Sequence, residues 1–149
     1  MKIWVDADAC PGPIKELIVR AAKRLGINTV FVANKYIGLP ESSYLTSVRI
    51  GVDPEAVDQY IIENAEPRDL VITQDIPLAS ALVQKQVIAI SPRGTLFSVD
   101  NIGERLAVRN LMQDIRDSGG ITSGPKQFGL KDRQRFADTL DRELTKFMK

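Results

Sequence analysis

The sequence predicts an α/β protein: a three-layer α/β/α sandwich on a mostly parallel, roughly five-stranded sheet, with helices added at the carboxyl end. Three observations predict it. Short apolar runs alternate with segments of helical periodicity, the pattern of βαβ units. Runs such as Thr29-Val30-Phe31-Val32-Ala33 are apolar almost throughout, as strands covered on both faces are. Aspartates follow directly on two of these runs, at Asp6-Ala7-Asp8 and at Gln74-Asp75.

The first strand is Lys2-Ile3-Trp4-Val5. Pro11 and Pro13 then mark a helix start, where a missing N–H costs nothing, and Ile14, Leu17, Ile18, Ala21, Ala22 and Leu25 fall at helical spacing before Gly26 stops the run. The second strand is 29–33. Residues 34–46, with Gly38, Pro40 and two serines, read as a loop, and Ser47 to Ile50 as a third strand. Asp53-Pro54 is an N-cap followed by proline at the first helical position, opening a helix through Asn64. A fourth strand at 69–73, a short helix at 77–84 and a fifth strand at 86–90 complete the alternation, and Ser91-Pro92-Arg93-Gly94 is a turn. Beyond it, 101–117 reads as an amphipathic helix with Ile102, Leu106, Leu111, Met112 and Ile115 on its apolar side. Residues 118–126 are too glycine-rich for regular structure. A last helix from about Lys131 to Met148 carries Phe136, Leu140, Leu144 and Phe147 at core spacing.

At 149 residues, 44% hydrophobic and 26% charged, the chain has the size and composition of one soluble domain, of which 101–149 is a helical, basic extension. The net charge of +1 hides an asymmetry: residues 1–84 carry 8 basic and 11 acidic side chains, residues 85–149 carry 12 and 8. That division suits a metal site beside an anion-binding surface, and equally a scatter of solvated faces. One cysteine, Cys10, permits no internal disulfide, and its place near a helix start with no basic partner reads as a buried structural thiol. No apolar run nears the roughly 20 residues that span a bilayer, and the N-terminal residues lack the basic-then-apolar pattern of a leader. A cytoplasmic protein without membrane partners is expected.

Histidine is absent. Catalysis by a Ser/His/Asp or Cys/His arrangement is therefore excluded, as is a Cys/His zinc site. What remains is carboxylate chemistry. Asp6 and Asp8 would share one face if the strand stayed extended, and Asp75 sits in the same place after the fourth strand, where it also suits an N-cap role. Asp58 lies on the 54–64 helix among Val57, Ile61 and Ile62, with Glu55 one turn earlier. Carboxylates gathered outside the carboxyl ends of parallel strands are oxygen ligands for a hard cation such as magnesium or manganese.

The order D-x-D, helical acid, T-x-D resembles PIN-like and flap-type 5′-nuclease domains over the stretch from Asp53 to Ala79. More specifically, WVDADACP, DLVITQDIPLA and the later SPRG are similar to the YaiI/YqxD family of small bacterial proteins, over nearly the whole chain. That resemblance implies a PIN-like fold with Asp6, Asp58 and Asp75 as metal ligands, Asp8 beside them, and Thr73 supporting the site by hydrogen bonding. Val57 replaces the usual Ala before the helical Asp, and Ser123 the middle Gly of Thr-Gly-Gly-Pro; both leave the carboxylates in place.

The function expected is phosphodiester hydrolysis of RNA, or of single-stranded nucleic acid, with one or two Mg or Mn ions, for which Arg93, Arg105, Arg109 and Lys126 are candidates to hold the phosphate backbone. Two alternatives stand beside it. One is a metal-dependent phosphatase on a small substrate, although Cys10 departs from the D-x-D-x-T/V of the haloacid-dehalogenase type. The other is a non-catalytic nucleic-acid or protein-binding module that keeps the acidic residues as a relic.

Overall fold

The computed structural model describes residues 1–51, 53–120 and 127–148. Among these residues six strands form one sheet: β1 (Ile3–Asp6), β2 (Thr29–Ala33), β3 (Leu45–Arg49), β4 (Leu70–Ile72), β5 (Ile88–Ile90) and β6 (Leu96–Phe97). Their spatial order is β3-β2-β1-β4-β5-β6, parallel throughout except for β6, which pairs antiparallel to β5. The helices are α1 (Gly12–Leu25), α2 (Pro54–Asn64), α3 (Ile76–Gln84), α4 (Val99–Asp117) and α5 (Leu130–Met148).

The continuous apolar strands are explained by the alternation of their side chains. In β1, Ile3 and Val5 point into one core with Phe31, Leu70 and Ile72, and this core is covered by α1 (Ile14, Ile18) and α5 (Phe136, Leu140, Leu144). Trp4, Val30, Val32, Val71 and Ala89 point the other way, beneath α2 (Val57, Ile61), α3 (Leu78, Leu82) and Ile102 of α4. Two cores on opposite faces of one sheet give the three-layer sandwich.

Local signals set most boundaries. Gly26 closes α1 in the left-handed conformation at φ 67°, and Asp53 caps α2 by accepting the Glu55 N–H at 3.0 Å. Three features depart from the sequence expectation. β6 is the sixth strand, formed because the chain turns back through Ser91–Gly94 and pairs Leu96 with Ile90. α4 begins at Val99, earlier than periodicity suggests, because Ser98 and Asn101 form a reciprocal capping box. The apolar side of α4 is covered only in part: Ile102 is buried, whereas Leu111 is 56% exposed and Met112 40%. With nineteen residues against the nine of α3, on which it packs, α4 is roughly 15 Å longer than it. Phe147 is likewise exposed, at the end of α5. No helix among the described residues is long and apolar enough to cross a membrane.

Candidate functional site

The strand order places the site. The chain builds outward from β1 through β2 to β3, then returns to lay β4 against the other side of β1. Connections leaving β1 and β4 therefore diverge, opening a crevice outside their carboxyl ends, the place where open α/β sheets take ligands. Asp6 is the last residue of β1, and Thr73 and Asp75 follow β4.

Side-chain alternation puts Asp6 on the same face as Trp4, toward α2 and α3. It is 9% exposed, and its Oδ2 accepts a hydrogen bond of 2.9 Å from the Thr73 hydroxyl. Thr73 Oγ1 in turn accepts the Asp75 N–H at 3.0 Å. Asp75 Oδ1 accepts the Leu78 N–H at 2.8 Å as N-cap of α3, so it caps the helix and lines the crevice together. Asp8 reaches the crevice by another route than strand alternation. The chain tightens into a 3₁₀ turn at Ala7–Ala9, leaving Asp8 exposed with its Oδ2 accepting the Asn34 N–H at 2.8 Å. Asp58 arrives on α2, half-buried, with Glu55 one turn before it.

Asp6, Asp8, Asp58 and Asp75 thus line one crevice of about 380 Å³, together with Glu55, Asn34 and Arg109. Arg105 lies in an adjoining groove along α4, which shares Arg109 with the crevice and includes Ile76 and Val108. Arg93 is engaged elsewhere, paired with Asp132 of α5 at 2.9 Å and set over the Phe128 ring. Lys126 falls outside the described residues. Asn34 was not among the residues singled out by sequence; its signal is a polar residue directly after the carboxyl end of a strand. A larger groove of about 610 Å³ lies between α1 and α5, lined by Leu17, Ala21, Leu140 and Leu144 with Arg20, Arg24, Asp138 and Asp141 at its rims. It is on the opposite face of the sheet, and size alone does not outweigh four carboxylates lining one crevice at the switch point.

Crowded carboxylates raise one another's proton affinity. Burial, reinforced by the charges of Asp75 and Asp6, pushes the Asp58 carboxyl up to about 7. Burial also raises Asp6, against the Thr73 hydrogen bond that lowers it and with the Asp75 and Asp8 charges adding to the rise. Asp69, at the opposite end of the same strands, makes the contrast. Its carboxylate receives the Lys2 N–H, the Trp4 indole N–H and the Glu66 N–H, a set that satisfies it structurally. Cys10 is buried, and burial pushes its thiol up to about 12, which makes it a packing residue.

All four aspartates present oxygen to the crevice, the donor chemistry that magnesium and manganese require. As the side chains stand, no three acidic or cysteine side chains among the described residues converge tightly enough to enclose an ion. Asp8 is exposed and Asp58 half-buried.

The profile of the family described as "Uncharacterized BCR, YaiI/YqxD family" matches residues 4–146. A UPF0178 protein of Syntrophobacter fumaroxidans is 63% identical over 149 residues, covering 100% of this chain and 97% of the relative. One from Myxococcus xanthus is 52% identical over the same spans. A third, from Shewanella baltica, is 49% identical over 145 residues, 97% of each chain. No solved structure matches the chain. The profile match over most of its length, and relatives of this identity end to end, make the chain a member of the YaiI/YqxD family.

Proposed function

We propose that the protein is a metal-dependent phosphodiesterase acting on RNA or single-stranded nucleic acid. The observation that carries this reading is the gathering of Asp6, Asp8, Asp58 and Asp75 at the switch point, with Arg109 on the same crevice. A magnesium or manganese ion held there would activate water and polarise the phosphoryl oxygen. The protein's own groups would do the rest. Thr73 fixes the Asp6 carboxylate, Asp75 is fixed by the first turn of α3, and Asp58 offers a carboxyl that changes charge near neutral pH. Arg109 would hold a non-bridging phosphate oxygen, and Arg105 the next stretch of backbone along α4. Hydrolysis adds water across one P–O bond, leaving a phosphomonoester and a free hydroxyl.

The test is cleavage of labelled single-stranded RNA and DNA oligonucleotides by metal-stripped protein supplied with Mn²⁺ or Mg²⁺. Cleavage that vanishes in excess chelator, and in Asp6→Asn and Asp75→Asn variants that still melt cooperatively, is the expected result. Cleavage undiminished by chelator contradicts the reading. Hydrolysis of p-nitrophenyl phosphate with oligonucleotides left intact would move it to a phosphatase.

A further inference from the structure

Three of the four aspartates are held by a hydrogen bond to the carboxylate: Asp6 by Thr73, Asp8 by the Asn34 N–H, Asp75 by the Leu78 N–H. Among the described residues, no backbone or side-chain N–H donor is directed at the Asp58 carboxylate. It shares a side-chain hydrogen bond with Asp75, and how near it comes to the other aspartates is set by where α2 sits. Between β3 and α2, the described residues Ile50, Gly51 and Asp53 lie within reach of the Asn34 side chain. The Asn34 amide nitrogen donates to the carbonyls of Ile50 at 3.0 Å, Gly51 at 3.3 Å and Asp53 at 3.1 Å. Two N–H groups serve three carbonyls, so one bond is shared. The reverse orientation of the amide would set its oxygen against three oxygens, which fixes its direction chemically. The same residue's backbone N–H holds Asp8. Asn34 therefore joins the strand-borne and helix-borne carboxylates through one rigid peptide unit and one side chain.

We infer that Asn34 is a positioning residue for the acidic crevice, which sets the approach of α2, and hence of Asp58 and Glu55, to Asp6, Asp8 and Asp75. The inference rests on the metal-site reading above for its consequence and on the hydrogen bonds alone for its geometry. Outer residues that orient ligands change metal affinity by about 10–100-fold when removed. Loss of the amide would release the Ile50, Gly51 and Asp53 carbonyls to water and let the first turn of α2 drift.

The experiment compares the metal-stripped wild type, Asn34→Ala, Asn34→Ser and Thr139→Val in calorimetric titrations with Mn²⁺, beside hydrogen exchange of the amides from Ala56 to Gln59. Thr139 donates a buried hydrogen bond of 2.8 Å to the Gly94 carbonyl from α5, on the far side of the sheet, so its variant reports stability loss alone. Mn²⁺ affinity reduced about tenfold or more in Asn34→Ala, and unchanged in Thr139→Val, is expected. Equal affinity in Asn34→Ala and wild type overturns the inference. If the wild type takes up no Mn²⁺, the metal reading falls by itself and the exchange arm decides. Faster exchange confined to the first turn of α2 sustains the positioning role, and unchanged exchange overturns it. Should Asn34→Ala fail to fold, Asn34→Ser, which keeps one donor, is judged by the same outcomes.

Discussion

Thr73 and Asp6 stand 67 residues apart in the chain and are joined by one buried hydrogen bond of 2.9 Å, hydroxyl to carboxylate, across the β1–β4 junction. The same hydroxyl oxygen accepts the Asp75 N–H, so one side chain links the carboxylate ending β1 to the loop leaving β4. Thr73→Val keeps the shape and removes both bonds. It is expected to cost about 1–3 kcal/mol of stability, because a buried carboxylate and a backbone N–H each lose a partner. Urea denaturation of the two proteins measures this, and an unchanged midpoint would show that water replaces the hydroxyl.

The Asp58 carboxyl gives a pH dependence with a definite sign. Its folded value is about 7 against an ordinary 3.8. Below about 4 both folded and unfolded chains hold the proton, and the contribution to stability is fully present. As pH rises toward 7 the unfolded chain gives up the proton while the folded chain keeps it, and stability is lost; above 7 the loss is constant. Asp6, also raised, adds in the same direction. Metal-free protein should therefore melt at a lower temperature at pH 8 than at pH 5.5. Asp58→Asn should flatten that difference and melt higher than wild type at pH 8, as expected where a site is kept at the expense of stability. Melting curves across pH decide it, and parallel wild-type and variant profiles would contradict the shift.

Cys10 is buried at the start of α1, with its thiol pushed up to about 12. Native protein at pH 8 should react with a thiol-directed disulfide reagent far more slowly than denatured protein, at a rate limited by opening. Prompt stoichiometric reaction of the native protein would show an accessible thiolate instead.

Gly94 occupies φ 90° in the turn before β6, and a Cβ there would stand 2.6 Å from the Arg135 backbone carbon of α5. Both the left-handed backbone and the contact forbid a side chain. Gly94→Ala should cost about 2–4 kcal/mol, combining backbone strain with overpacking, and chemical denaturation would register it. A variant as stable as wild type would mean that α5 can shift away without loss.

The order of strands and helices was legible because β1, β2, β4 and β5 are short, almost wholly apolar runs and α1, α2 and α3 each carry a proline, an aspartate cap or a glycine stop. Asp53-Pro54 and Gly26 placed their boundaries to the residue. β6 was not legible, since two residues carry no periodicity and its pairing depends on the turn before it. The Val99 start of α4 was missed because its capping box uses Asn101 where Glu or Gln is the familiar partner. At the crevice, Asp6, Asp58 and Asp75 could be read from their positions on strand ends and a helix. Asp8 reaches it through a 3₁₀ turn rather than a continued strand, and nothing in Ala7-Asp8-Ala9 announces that turn. Asn34 escaped because its role depends on a loop that returns from residue 50, a relationship between distant segments that neither composition nor spacing carries.

A divalent-cation site formed by the carboxylates at the switch point is the proposal on which the function rests. It is tested most directly by titrating Mn²⁺ calorimetrically into metal-stripped wild-type protein, beside Asp6→Asn and Asp75→Asn variants shown by their melting curves to be folded. Saturable binding to the wild type, lost or weakened at least about tenfold in both variants, is the predicted result. Binding of equal strength in all three proteins, or none in the wild type, would contradict it.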